Sequence, residues 1–550
     1  MPNWVKVLQT DVLEKLGADC SSTRELAIKL SKKLKEGVSV DSLFNAHKRH
    51  KDKLKLKPSL MDYMGNVDKD PPQKLQDIKW ELSKEKKAEI KKATRFIITA
   101  SMNNAPVDSK FWSSIQNYAD HTGACIIVVP SRYKNPTSRA EAKKADGRAW
   151  WPEEVQEHMT DELVRLHKNL WIMANVRVGA TAQKPLTGLE SLSRGASAIF
   201  GHSQISMKMV PTPQHHVPKV MYTTGSCSVP NYSDTKAGIK GEFHHSLGAI
   251  VVEKDGSRFH TRVVNADQSK GFYDLKHYYG PEGVEDCERV LALVTGDEHA
   301  MFNDTKNKGA TYTNANSIAN VLKPEKIVRH DVFDGYSISH HNRHDPIIQY
   351  SKHKNGHHRV IDELELTVKH IDETTPEFSE NVIVASNHHE HLLRWLKESH
   401  PTQEPWNVDA WLEIWGLLKE TVEFKERGVV YSDPFALWMK ARLKASAKFL
   451  ERDAEDNIGG ILIGFHGDQG SNGSRGSINQ YAKMGAKTVI GHSHTPGIQY
   501  GCYQVGTSST LRMDYTKGPS SWAHCHCIIY PNGKRQLIFV IDGYWRREDD

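Results

Sequence analysis

Five short polar stations, most of them closing an apolar run, constrain this chain more than any other feature. They read Asp297-Glu298-His299, Asp331-Val332-Phe333-Asp334, Asn387-His388, His466-Gly467-Asp468 and Gly491-His492-Ser493-His494. The runs before them, Val290 to Val294, Val382 to Ala385, Ile461 to Phe465 and Thr488 to Ile490, have the length and composition of buried strands. Strand ends in a layered α/β fold are where catalytic side chains converge. Residues i and i+2 of a strand point the same way, so Asp297 with His299, and His492 with His494, are expected to act as two facing pincers. Asp331 between them would bridge two cations, and Asn387 and His466 would serve the second one. Asp, His and Asn supply the oxygen and nitrogen donors that suit divalent transition metals.

A chain of 550 residues is too long for one ordinary core, and two to three domains are expected. Residues 1–92 read as helical and basic. Ser22-Thr23-Arg24-Glu25 opens a helix, Gly37 breaks it, and a second helix ends in Lys48-Arg49-His50. The segment is either a helix-turn-helix-like module or a docking segment with a solvated basic face; Lys69 to Lys92 reads as its linker. Residues 93–285 read as an α/β domain of unassigned role. It begins with the strands Phe96 to Ala100 and Ala124 to Val129 around a helix from about Asp108 to Asp120. Residues 286–550 hold all five stations, with a helical insertion at about 395–455.

The net charge of +6 permits an anionic partner without demanding one. Seven cysteines, an odd number scattered over a long chain, argue against a disulfide framework and for a reducing compartment. No signal-peptide core or membrane-length apolar stretch is apparent, so a soluble, cytoplasmic protein with no membrane partner is expected; self-association is compatible with the sequence. Thirty histidines form the compositional outlier, several of them paired (His340-His341 and His388-His389 among them). The run His524-Cys525-His526-Cys527 would place its histidines on one strand face and its cysteines on the other, which favours a final sandwich strand over a zinc site.

The ordered stations resemble the signature of the calcineurin-like metallophosphoesterase family, DxH, GDxxD, GNH[DE], an isolated His and GHxH, over about 286–510. The resemblance implies a two-sheet β-sandwich flanked by helices. It implies that Asp297, His299, Asp331 and His494 surround one metal, and Asp331, Asn387, His466 and His492 the other. It also implies that His388 is not a ligand but sits beside the scissile phosphate as proton donor. His330 stands where the family has Gly, and Ser386 likewise, which bears on loop shape. Asp334 would support a ligand from behind, and Arg343 and Arg475 are candidates for holding phosphate. Two divalent ions are expected, manganese first, with Mg, Fe or Zn as alternatives.

Passages such as Tyr133-Lys134-Asn135-Pro136-Thr137-Ser138, Met221-Tyr222-Thr223-Thr224-Gly225 and Lys240-Gly241-Glu242-Phe243-His244-His245 are similar to the pre-early, first-step-transfer DNA-degradation proteins of tailed phages. That similarity implies a metal-dependent DNase whose partner is DNA, acting early in infection in the host bacterial cytoplasm. The alternatives are a phosphoesterase for a small or non-DNA ester and a non-enzymatic DNA-binding regulator.

Overall fold

A computed structural model describes residues 29, 32, 79–133, 149–213, 218–426, 428–513 and 516–548. Apart from Lys29 and Lys32, both helical, the helices expected within 1–78 lie outside the described residues. From Lys79 on, Ala149 apart, the described residues belong to one compact unit. The last part of the expected linker is therefore built into the fold. Its helix Lys84–Lys92 is capped by Ser83, whose hydroxyl accepts from the Lys86 amide. Ile90 of that helix, and Leu82 before it, enter the main core.

The protein is mixed α/β. A four-stranded sheet runs in the order Cys125–Ser131, Arg95–Met102, Gly248–Asp255, Arg258–Asn265. Its first two strands are parallel, joined by the helix Ser109–Thr122, which Asp108 caps and Gly123 ends with a left-handed turn. A six-stranded sheet runs Ala447–Phe449, Glu380–Ile383, Lys326–Arg329, Ala292–Val294, Cys525–Ile529, Arg535–Phe539. The first four strands are parallel, and Cys525–Ile529 runs antiparallel to both of its neighbours, Ala292–Val294 and Arg535–Phe539.

The third large sheet has ten strands. Five short ones, from Asn457–Ile458 to Gly497–Gln499, come from the C-terminal part, and five, from Ser206–Val210 to Leu163–His167, from the middle of the chain. Gly497–Gln499 pairs antiparallel with Ser206–Val210. The division expected at 285/286 therefore does not coincide with a break in the sheets: hydrogen bonding is continuous across it.

Alternation decides the layers. In the six-stranded sheet Ala292, Val294, Val328, Val382, Cys525 and Cys527 face one core, which Ile461, Val489, Tyr503, Val220 and Tyr222 of the ten-stranded sheet enter from the other side. Leu293, Ile327 and Ile528 turn the opposite way, onto Ile318 and Leu322 of a short helix. The two sheets thus share one buried layer and carry helices outside it. Cys525–Ile529 is an inner strand rather than the last one. Its cysteines face the core, while His526 turns away to accept from the Gly296 amide and to meet Thr311.

The expected insertion holds the helices Val408–Lys419 and Pro434–Lys440. It also holds a hairpin, Glu423–Lys425 with Gly428–Val430. It closes with Ala447–Phe449, which is a strand because it pairs parallel with Glu380–Ile383 at the sheet edge. Pairing with a distant strand overrides the helical reading there.

Candidate metal centre

The stations meet at the C-terminal ends of Ala292–Val294, Lys326–Arg329, Glu380–Ile383 and Thr488–Ile490, and on the loop after Ile461–Leu462. Backbone bonds lace the first two together: the amides of Glu298, His299 and Ala300 donate to the carbonyls of His330, Asp331 and Val332. The Asp297 amide donates to the Gly506 carbonyl and the Gly491 amide to that of His466. Behind this lacing Glu298, wholly buried, receives Arg329 at 2.9 Å, His370 Nε2 at 2.7 Å and the Tyr312 hydroxyl at 2.6 Å. Glu298 lies between Asp297 and His299 in sequence, and Arg329 directly precedes His330-Asp331. The buried ion pair therefore pins two stations to each other from the rear.

In front, Asp297, His299 and His494 bring one ligating atom each within 4.8 Å of one another; so do Asp297, His330 and His466, and so do His299, Asp331 and His388. His299 Nε2 and His494 Nε2 are 3.1 Å apart, and His494 Nε2 is 3.1 Å from Asp297 Oδ2. His466 Nε2 lies 3.0 Å from Asp331 Oδ2. Despite these short distances, both Asp297 oxygens, Asp331 Oδ1, Asn387 Oδ1 and His466 Nε2 are buried without an aligned hydrogen-bond partner. Leaving such atoms bare costs about 1–3 kcal/mol each, and aiming them at a shared cation removes that cost. Buried carboxylates and imidazoles with unpartnered atoms fit divalent metal ions, which these groups could hold.

The electrostatics agree. Burial alone would raise the Asp297 carboxyl, but the contact with His494 and the charge of His466 bring it down to about 2. Asp331 is held well below the usual carboxylate range against the same burial, chiefly by His466 and His388. Burial pushes His330 down to about 4. His299, against its burial, is lifted to about 9 by Asp334, whose Oδ2 stands 2.8 Å from its Nδ1. Two ionised carboxylates in a buried space require positive partners, which imidazolium supplies here and a cation would replace.

The pincers do not arise as strand alternation suggests. Ala292–Val294 and Thr488–Ile490 have ended before the stations begin. Four of the seven expected ligands, His299, Asp331, His492 and His494, have left-handed backbones, with φ between 41° and 71°. Asp297 and His299 do meet, with His494. His492 goes elsewhere, its ring 5.3 Å from that of His466. Non-glycine residues in this region cost about 1–3 kcal/mol each and gather at functional sites. Gly491 is required by proximity: a Cβ there would stand 2.3 Å from Asp297 Oδ1.

His388 lies at the rim, its side chain 22% exposed, with Nδ1 2.6 Å from the Asp334 carbonyl oxygen. Its neighbour Asn387, rather than His388 itself, lines a cleft of about 510 Å³ together with His340, Glu390, His391, Arg394, Lys397 and Glu398. Two expected phosphate contacts are not gathered here. Arg343 turns to the Glu398 carbonyl, at the end of a helix, and to Glu404, as the negative helix terminus favours. Arg475 is exposed on a loop, where it bridges to Gln469.

Sequence reading missed two participants. His330 was weighed only as a substitute for Gly in a loop, yet its Nδ1 is 3.3 Å from His466 Nδ1. Arg452 sits beside the His466 station, 2.8 Å from Asp468, and also holds Glu390. A histidine next to a ligand aspartate was a usable signal; Arg452 had none, being in no motif.

Compared with known proteins, the chain is 32% identical over 466 residues to Protein A1 of Escherichia phage T5, a span covering 83% of this chain and 83% of that protein. It belongs to the family of phage T5 Protein A1. That relationship, over most of both chains, supports a phage protein. No protein-family profile matches the chain, and no solved structure matches it. Among the described residues no helix is long and apolar enough to cross a membrane.

Proposed function

We propose that this protein is a metal-dependent nuclease of the calcineurin-like metallophosphoesterase type, hydrolysing the phosphodiester bonds of DNA inside an infected bacterium. The observation that carries the reading is the set of buried, unpartnered Asp and His atoms at strand ends, with a part-exposed histidine at their rim. Asp297, His299 and His494 would hold one ion, and Asp331, His466, His492 and Asn387 a second, with His330 beside them. Divalent cations so placed supply Lewis acidity and lower the pKa of water.

The chain's own residues do the rest. The His388 Nδ1–H donates to the Asp334 carbonyl, which fixes the ring and leaves Nε2 to carry the proton. In its protonated form that atom hands a proton to the departing ester oxygen. Asp334 steadies His299 and His388 together. In the adjoining cleft Lys397 offers a cation beside Asn387, while Arg394 is paired with Glu398. The resemblance to phage DNA-degradation proteins selects DNA among phosphoesters.

The test uses purified full-length protein on closed-circular and end-blocked linear DNA, with Mn or with chelator. Cleavage only with metal is expected, abolished by Asp331→Asn together with metal uptake. His388→Ala is expected to lose roughly 10²–10⁴-fold in rate while keeping the metal. Hydrolysis of bis-p-nitrophenyl phosphate without any DNA cleavage would sink the DNA assignment; absence of both would sink the enzyme.

A further inference from the structure

One more cluster of ligating side chains stands outside the buried centre. His340 and His341 belong to the loop between Asp334 and the helix Pro346–Asn355, and His391 to the first turn of the helix Glu390–Glu398. One ring nitrogen from each lies within 4.8 Å of the others. The His340 and His341 ring centroids are 3.8 Å apart, and those of His340 and His391 5.2 Å. His340 Nδ1 and His391 Nδ1 are buried with no hydrogen-bond partner.

Nearby acids do not explain the cluster. Glu390 is taken by Arg452 and Glu398 by Arg394. Three imidazoles without a carboxylate select a borderline cation over magnesium or calcium, which prefer oxygen. Tetrahedral ligands on zinc are about 3.3 Å apart at bond lengths near 2.05 Å, and the exposed His341 can close the remaining gap by turning its side chain.

We propose that His340, His341 and His391 form a separate site for a transition-metal cation of the zinc class at the mouth of the cleft. Three protein ligands leave a coordination position for water or an anionic oxygen. Arg394 and Lys397 line the same cleft, and the His391 ring is 5.0 Å from that of His388. The site goes beyond the nuclease reading and does not depend on it.

Full-length protein is loaded with Zn²⁺ and dialysed, and zinc per chain is counted by plasma mass spectrometry. The comparison is made in two backgrounds, wild type and Asp297→Asn/His494→Ala, each with and without His341→Ala. Exposed His341 can be replaced without disturbing the fold, which the metal-free melting temperature verifies. In both backgrounds His341→Ala is expected to remove one zinc ion per chain. Equal counts with and without His341, or no zinc bound at all, would overturn the proposal.

Discussion

Gly491 carries the sharpest test at the residue scale. A methyl group there meets Asp297 Oδ1 at 2.3 Å and the His330 ring at 3.1 Å, so Gly491→Ala is expected to displace Asp297. Metal affinity, read by calorimetry, should fall at least tenfold, with far-ultraviolet circular dichroism unchanged; undiminished affinity would show that Asp297 does not face the cation. Part of this is legible beforehand: strand spacing pairs Asp297 with His299, and the resemblance to the calcineurin-like family implies His494 beside them. The backbone was not. Nothing in Asp297-Glu298-His299 announces that His299 has φ 41°, or in Gly491-His492-Ser493-His494 that both histidines are left-handed. They occur where the chain is bonded to distant partners, the Asp297 amide to the Gly506 carbonyl and the Gly491 amide to that of His466. His330 was hidden for a different reason: a residue that replaces glycine in a motif was weighed for shape, not for its nitrogen atoms.

Among elements, the rear brace of the site is the vulnerable part. Arg329→Met strands the carboxylate of Glu298 in a dry interior. Removing one partner of such a pair costs about 3–5 kcal/mol, which chemical denaturation would register; a loss below about 1 kcal/mol would mean that Glu298 is satisfied by His370 and Tyr312 alone. The helix Val360–Thr374 makes a second contribution. Its buried Glu363 accepts from the amides of Tyr336 and Ser337, behind Asp334. Burial first, and Asp334 second, push its carboxyl up to about 7 from 4.5. The folded state thus holds this proton more tightly than the unfolded one. The contribution is complete below pH 4.5 and is lost as pH rises through 7. Glu363→Gln should therefore gain stability relative to wild type between pH 4.5 and pH 8; an unchanged difference between the two would contradict it. The strand-ending stations were readable from apolar runs, whereas Glu363 and Arg329 looked like ordinary charged residues because their partners come from other elements.

For the molecule as a whole, the sheet that crosses residue 285 decides what can be separated. The confinement of all five stations to residues 286–550 suggests a boundary there, and the pairing that spans it has no local trace. Gly497-Ile498-Gln499 is too short and begins with glycine, yet it lies against Ser206–Val210. A fragment of residues 286–550 would bare that strand, and unpaired edges associate with other chains. It is expected to elute as aggregate in size-exclusion chromatography where the full chain does not. A well-behaved fragment would show that the junction is dispensable. The same junction sets a timetable for synthesis. Ser206 and Ile498, joined by a hydrogen bond, are 292 residues apart, so at 5–20 residues per second the ribosome leaves the middle strands waiting roughly 15–60 s for their partner. The largest sheet of this protein therefore stays unfinished until residues 497–504 have emerged.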